Sequence, residues 1–410
     1  MAGAGPVGMI TAILLAQGGV RTRVVDKEPG TATQSYACAL HPATLQFLAE
    51  MGLERDILEL GRRLDTVALY DGHRRRTEIK LSRLPGDFPF LLVLPQGALE
   101  EALEVRLARK LNLKIDWNHR LSTIQSGTDT IQATVDKLVT TAQGYSVPHM
   151  EWTVGKTLRI QAGFLIGADG HQSHVRQCLG IDYDCLALPL AFEVYEFETD
   201  TALEPEVRVV LDEKSTNVLW PLPGNRCRWS FESVTHREGD EFPAKDRSVI
   251  AVDEGEVEIR TRAHMQKLMA ERAPWFQGSI GDINWNTEVQ FVPGLSRRFG
   301  QGRCWLAGDS AHQAGPVGMQ GMNVGILEGA ELVAIIKRIL HEHGSPDLLD
   351  AYASGRRREW LQLLGAMGGP KARAQTDPWI RGLSARLLPC LPASGGHLAH
   401  LLDQLGLDLP

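Results

Sequence analysis

The stretch GRCWLAGDSAHQAGPVGMQGMNVGILEGAEL, Gly302 to Leu332, decides the fold. It reads as a buried strand at Cys304 to Ala307, a Gly308-Asp309 turn, a loop holding His312 and Pro316, and an apolar helix after Gly318 and Gly321. The strand carries Asp309 to a sheet edge. Glycines in the loop let backbone approach a ligand closely. The helix N-terminus offers free N–H groups to an anionic or electron-rich group. The pattern predicts a large polar ligand held at the end of a sheet.

A second motif lies at the other end of the chain. Gly3, Gly5 and Gly8 in GAGPVG match G-x-G-x-x-G, Met9 to Gln17 follows as a helix, Val20 to Val25 as a strand, and Asp26 ends that strand. The first glycine suits a tight turn, the second admits a pyrophosphate, and the third lets helix and sheet pack closely. The acid accepts hydrogen bonds from a ribose hydroxyl. A dinucleotide site is predicted. Only Met1 and Ala2 precede Gly3, whereas such a motif follows a strand of about five residues. The expectation is a shortened N-terminus, with the first strand nearly absent and its neighbours' backbone groups left without partners.

Composition narrows the class. The 410 residues suffice for two or three domains. With 43% hydrophobic and 23% charged residues the chain reads as a soluble globular protein, and a net charge of −7 gives no reason to expect nucleic-acid binding. The clusters Arg74–Arg76 and Arg356–Arg358 are either solvated faces or anion contacts, such as a nicotinamide cofactor's phosphates. Six cysteines show no CxxC or other metal spacing, which predicts buried thiols, no metal and a reducing, cytoplasmic compartment. No apolar run reaches the roughly 18 residues of a membrane span.

Between the motifs the pattern alternates. Pro42 to Met51 reads as a helix, Val67–Tyr70, Arg75–Leu81 and Phe90–Leu94 as short strands, and Leu99 to Leu111 as a charged amphipathic helix. Strands follow at Lys114–Trp117, Leu121–Ser126 and Ile131–Val135, then a polar loop from Asp136 to His149, then a strand at Thr157–Ile166. From Ile181 to Val292 the spacing changes to strands of an antiparallel sheet: Phe192–Phe197, Val207–Leu211, Val218–Pro221, Cys227–Ser233 and Glu288–Val292, interrupted by a helix at Glu256–Ala270. The predicted fold class is α/β: a discontinuous Rossmann-like domain (1–72, 96–180 and 293–364), an inserted antiparallel-sheet substrate domain (73–95 and 181–292), and a helical C-terminal segment (365–410). Leu387–Leu391 and Leu398–Leu405 are apolar enough for that segment to cap a pocket, form a homodimer face or lie on a membrane.

Three motifs in fixed order, GAGPVG, LIGADGHQSHVRQ and LAGDSAHQAGPVGMQGMNVG, resemble the FAD-dependent aromatic hydroxylases. These are the group A flavoprotein monooxygenases with the para-hydroxybenzoate hydroxylase fold, and the resemblance spans roughly residues 1–365. It implies that Gly3, Gly5 and Gly8 hold the FAD pyrophosphate, Asp26 the adenosine ribose, Gln96 the sugar–phosphate chain and Asp309 the flavin polyol chain. Gly318 to Asn323, with Gly321 and Met322 between them, would wrap the flavin ring, and the Pro316 carbonyl would face ring and substrate. Asp169 falls in a motif associated with both FAD and NAD(P)H. The family's chemistry is hydroxylation of an aromatic small molecule, phenolic or polyketide-like. NAD(P)H is a transient co-substrate, and O2 reacts through a flavin C4a-hydroperoxide. Departures from the pattern are Tyr36 in place of a usual arginine, Ala39 for a frequent glycine and Met319 for a second glycine. Same-fold alternatives are a flavin reductase or oxidase acting on a lipid-like or prenylated substrate, a halogenase, for which no W-x-W-x-x-P stretch is present, and a degenerate flavin-binding protein.

No catalytic triad is readable, and none is needed where a cofactor carries the chemistry. His312 either braces its loop or acts as a base. His41 either packs at a helix entry or reaches the substrate cavity as a catalytic candidate, and His171 and His174 flank a turn as surface residues. Tyr195, Trp220 and Trp229 are either sheet core or a wall for an aromatic substrate. Arg226 and Arg228 are either exposed strand positions or anchors for an anionic group.

Overall fold

The structure, a computed structural model, describes residues 1–33, 37–143, 149–233 and 262–409. The departure at Tyr36 therefore lies outside the described residues.

The nucleotide layer is built of very short parallel strands. Ile115–Asp116 pairs with Val24–Val25, and Leu165–Gly167 pairs with Cys304–Leu306. Ala2 bridges the two halves, paired in parallel to both Val25 and Gly167. Its N–H donates to Ile166 O at 2.9 Å, Ala168 N–H donates to its carbonyl at 2.7 Å, and Val25 N–H donates to Met1 O at 3.1 Å. Two residues thus occupy the central lane and satisfy the neighbouring backbone groups that were expected to lack partners. Val20–Val25 narrows to two residues because the preceding helix, Pro6–Gln17, ends in a Schellman turn. Gly19 takes φ +74°, and Val20 N–H donates to Leu15 O at 2.9 Å.

The helix Pro6–Gln17 is buried on nearly every side, with Met9, Ile10, Ala12 and Ile13 fully enclosed. It packs against the helices Gln96–Leu111 and Gln320–Glu342. Two glycines permit the second contact. A Cβ at Gly325 would stand 2.8 Å from Gly308 Cα, and one at Gly329 would stand 2.4 Å from Thr11 Oγ1. The long helix therefore rests directly on the turn that bears Asp309.

A seven-stranded sheet runs in the order Ile283–Phe291, Leu190–Glu198, Arg226–Glu232, Thr216–Leu222, Glu206–Leu211, Thr66–Asp71 and Arg74–Lys80. Every pairing is antiparallel except that of Glu206–Leu211 with Thr66–Asp71. The hairpin Thr66–Lys80 straddles residue 72, so dividing the chain there cuts a β-ladder. One face of the sheet carries Tyr195, Phe197, Trp229 and Phe231 against the helix Arg262–Arg272. The other carries Phe192, Val194, Val218 and Trp220 toward the nucleotide layer. The helix expected from Glu256 is described only from Arg262, since 256–261 lie outside the described residues.

The expected polar loop at 136–149 is corrected. Ile131–Gln143 and His149–Ala162 form a long hairpin, and Leu165–Gly167 is a separate strand. Beyond Val135 both faces of the hairpin meet solvent, so its strands lack the apolar alternation that marks a half-buried strand.

The C-terminal segment is helical, with helices Pro378–Leu387 and Gly395–Gln404. Leu387, Leu388, Leu391, Leu398, Leu401 and Leu402 are buried in this chain's own core, and so are not available to a membrane or a second protomer. Arg386 donates to Asp212 O at 2.7 Å and Ser215 O at 2.6 Å, and Gln404 bonds both the N–H and the carbonyl of Lys80. The arginine clusters are largely engaged by acids: Arg75 with Glu206 and Glu78, Arg76 with Asp71, and Arg356 with Glu331 and Glu359. No helix of the described residues is long and apolar enough to cross a membrane, and all six cysteines are free.

Candidate functional site

A cavity of about 400 Å3 runs between the two glycine motifs. It is lined by Gly5, Pro6 and Val7 of the first motif, by Asp309, Gly321 and Met322 of the second, and by Gln96, His171, Phe291 and Pro316.

The three N-terminal glycines have separate physical reasons. Gly3 has φ +100°, and a Cβ there would fall 2.1 Å from Ala168 O. A Cβ on Gly8 would fall 2.2 Å from Gly3 O. Around Gly5 nothing lies within 4 Å, so its open side is the cavity itself. The helix that follows has no side-chain cap, and its first internal bond is Met9 N–H to Gly5 O. The N–H groups of its first turn therefore face the cavity as an anion site.

Asp26 sits behind this turn. Its carboxylate accepts from Ala4 N–H at 2.6 Å and Glu28 N–H at 2.9 Å, and it is half-buried. A carboxylate has capacity for further donors. Gln96 accepts from Ala37 N–H at 3.0 Å and donates to Glu100 at 2.8 Å, while Glu100 accepts from Ala32 N–H at 2.6 Å. Gln96 thereby holds Ala37 at the cavity wall, and Glu100 holds Ala32. Burial raises the Glu100 carboxyl above its ordinary range against the bonds from Ala32 and Gln96.

Asp169 points away from the cavity. It accepts from Ser173 Oγ at 2.5 Å and Val175 N–H at 3.0 Å, closing the turn before a short helix. Its neighbours Gly170, His171 and Gln172 line the cavity instead. The surface reading of His171 is thus corrected: it is half-buried, and its Nε2 is buried with no hydrogen-bond partner among the described residues. Burial, with Lys27 and Arg176 nearby, lowers its pKa to about 4, so the ring is neutral. His174 is exposed as expected and bonds Ser122 O. Arg176, not singled out from sequence, donates to Ser310 O at 2.7 Å and His171 O at 2.8 Å, tying two walls of the cavity together.

Asp309 sits in the turn Gly308–Ser310, where Gly308 has φ +65°. Its side chain opens to the cavity. The protein walls around it raise its carboxyl above the usual range, His312 opposing and Glu328 adding. A Cβ at Gly321 would come 2.9 Å from Asp309 Oδ1, so only glycine leaves the carboxylate in place. The helix beginning at Gln320 has no side-chain cap, and Gly321 and Met322 present its start to the cavity. Met319, just before it, holds φ +51° with its side chain in the cavity wall. That left-handed conformation is the physical reason glycine suits this position.

Two residues expected at the ring are held tightly by the protein itself. Asn323 donates to Ala39 O at 2.9 Å and Met319 O at 2.8 Å and accepts from His41 N–H at 2.7 Å. Gly318 is tight because a Cβ would meet Pro389 O at 2.6 Å and Leu391 O at 2.9 Å. His41 is buried, caps the helix Pro42–Glu50, and its Nε2 lies 2.9 Å from Gly318 O. Burial drives its pKa to about 3, with the Gly318 bond opposing and His397 adding. A neutral ring donating to that carbonyl is a helix-entry latch, not a base. His312 is equally enclosed: its Nε2 lies 2.7 Å from Glu328, its ring stacks on Trp360 at 3.7 Å, and Trp360 Nε1 donates to Glu328 at 2.5 Å.

The sheet aromatics are core. Tyr195 and Trp229 lie on the face turned away from the cavity, Trp229 stacked on Phe231 at 5.0 Å. Trp220 is buried on the inner face but lines neither cavity described here. Arg228 is buried and paired with Glu196, so the exposed-strand reading is corrected for it. Beyond Gly315 and Pro316, which line both, a second cavity of about 170 Å3 lies under the sheet against the C-terminal segment.

The first cavity fits an elongated ligand with an anionic linker at Gly5, a polyol near Asp309 and a ring against the long helix. The orphaned His171 nitrogen awaits one more polar partner. The comparisons agree. The model of the family described as FAD binding domain matches residues 1–364. The chain is 29% identical over 362 residues to the 6-methylpretetramide 4-monooxygenase of Streptomyces rimosus, covering 87% of this chain and 58% of that protein. It is 25% identical over 363 residues to the pentachlorophenol 4-monooxygenase of Sphingobium chlorophenolicum, covering 88% and 62%. The chain thus spans about three fifths of the length of these two curated relatives. Among solved structures, the p-nitrophenol 4-monooxygenase of Pseudomonas putida DLL-E4 superposes with a TM-score of 0.73 at 20% identity, over 98% of this chain and 95% of that one. With the family model covering residues 1–364 and the fold shared, this chain belongs to the FAD binding domain family and has the group A flavoprotein monooxygenase fold.

Proposed function

We propose that this protein is an FAD-dependent monooxygenase that hydroxylates an aromatic small molecule with NAD(P)H and O2. The observation that carries the reading is the shape of the paired cavities. The larger has an anion site at Gly5 and an acid at Asp309, and it shares Gly315 and Pro316 with the smaller. Gly3, Gly5 and Gly8 would hold the pyrophosphate and Asp26 the adenosine ribose. Gln96 and His171 would flank the chain between them, and Asp309 would take the flavin polyol. Bound FAD supplies hydride acceptance and oxygen activation.

The chain's own residues supply position and exclusion. The start of the helix at Gly321 and Met322 directs N–H groups at the ring end, where they favour negative charge. Pro316 and Phe291 form apolar walls that keep water from the reacting edge. Arg176 and the Glu328–His312–Trp360 cluster hold the loop that carries these groups. Gly318 and Asn323, proposed on sequence as ring contacts, act here by fixing the loop. Purified protein incubated with FAD takes up a stoichiometric flavin, and NAD(P)H oxidation accelerates on adding a phenol. A chain that takes up no flavin contradicts the proposal.

A further inference from the structure

The family model ends at residue 364, yet the chain beyond it reaches the flavin loop; the inference drawn from this rests on the proposed flavin reading. Leu388–Cys390 is a short 3-10 turn, and Pro389 and Pro392 bracket Cys390 and Leu391. Each proline fixes its own φ, so the carbonyls here have little freedom to turn. Cys390 Sγ donates to Arg386 O at 3.1 Å, and Arg386 is bound in turn to the sheet at Asp212 O and Ser215 O. With Leu391, Pro392 and Ala393 buried, the segment forms a rigid shelf.

Gln320 docks on that shelf. It is the first residue of the helix Gln320–Glu342 and is buried. Its Nε2 donates to Leu391 O at 3.2 Å and lies 3.5 Å from Ala393 O. The next two residues, Gly321 and Met322, line the cavity. The helix has no side-chain cap, so the aim of its free N–H groups follows from where Gln320 is anchored. Such groups stabilise the negative charge of reduced flavin more than the neutral oxidised ring. We propose that Gln320 is a positioning residue. Docked on Leu391 and Ala393, it aims the helix start at the flavin ring, and through it the C-terminal segment sets the flavin's reduction potential. Asn323 ties the same helix start to Ala39 O and Met319 O, so loss of the Gln320 bonds shifts the N–H groups without unfolding the loop.

The test is a redox titration of the FAD-loaded protein against a reference dye. Gln320→Met keeps the length of the side chain but has no donor. A charge at a helix N-terminus is stabilised about tenfold, and for a two-electron couple tenfold corresponds to about 30 mV. Gln320→Met is expected to bind FAD with a potential about 30 mV more negative than wild type, because reduced flavin loses more than oxidised. Gln320→Asn, one methylene shorter, shifts it the same way by less. Gln404→Met is the control. It removes both bonds to the Lys80 backbone elsewhere in the same segment, and lowers the melting temperature without moving the potential. An unchanged potential in the Gln320 variants overturns the inference, as does an equal shift in Gln404→Met, which would mark general loosening. Those results leave the flavin reading standing, whereas a wild-type chain that takes up no FAD overturns the proposed function and this inference with it.

Discussion

Removing Glu328 should cost more stability than any surface change and should loosen the flavin loop. The side chain is fully buried, with Trp360 Nε1 donating to one oxygen at 2.5 Å and His312 Nε2 at 2.7 Å from the other. Trp360 and His312 are also fully buried and stacked, so neither finds water if the carboxyl is lost. In Glu328→Ala two buried polar groups lose their partners at about 1–3 kcal/mol each, and the void adds about 1 kcal/mol. The expected loss is about 3–7 kcal/mol, against a typical domain stability of about 5–15 kcal/mol. Glu328→Gln keeps one acceptor oxygen, enough for the indole, and costs about 1–3 kcal/mol. Urea denaturation of the FAD-free protein measures both. His312→Ala combined with Glu328→Ala should cost less than the sum of the two, because they share one network. A Glu328→Ala protein within about 0.5 kcal/mol of wild type, the range of a surface change, would refute the reasoning.

Three further outcomes follow from the geometry. Gly5→Ala leaves stability within about 0.5 kcal/mol but weakens FAD binding, because its Cβ enters only the cavity; Gly8→Ala, aimed at Gly3 O from 2.2 Å, destabilises the protein itself. Melting curves and a flavin titration separate the two. His41 is held neutral with a pKa of about 3 against an ordinary 6.5. Its unfolded state therefore binds the extra proton between those values. Stability falls as pH drops below 6.5, by about 2 kcal/mol from this group at pH 5, and His41→Asn flattens that part of the stability–pH curve. Trp229→Ala loses about 3–5 kcal/mol with no change in KM for the folded fraction, since the ring faces the helix Arg262–Arg272 and not a cavity.

What could be read from sequence depended on how local the physical demand was. Gly3 answers to its own φ of +100° and Gly8 to the Gly3 carbonyl, both within the turn itself, so their spacing was legible, as was the Gly308-Asp309 turn. The protein partners of Asp169 and Asn323 could not be read from their motifs, because nearby N–H and C=O groups compete with a ligand for the same polar atoms. Tyr195 and Trp229 could not be assigned a face without the register, since one residue's slip inverts a strand. Gly325 and Gly329 read as ordinary helix positions, and only the packed neighbours Gly308 and Thr11 reveal why they carry no side chain. His171 carried no signal beyond its place after Gly170. The leucines of the C-terminal segment look alike whether they face a membrane, a partner or their own core, and burial alone decides.

The central claim is that the paired cavities place a flavin beside an aromatic ring for hydroxylation. Incubating the FAD-loaded protein with NAD(P)H and a phenol under 18O2, then weighing the product, tests it most directly. The account predicts a hydroxylated phenol carrying one oxygen atom from O2, and loss of that product in Asp309→Ala as FAD affinity falls. NAD(P)H consumption with no labelled product from any phenol, by a protein that binds FAD, would contradict it.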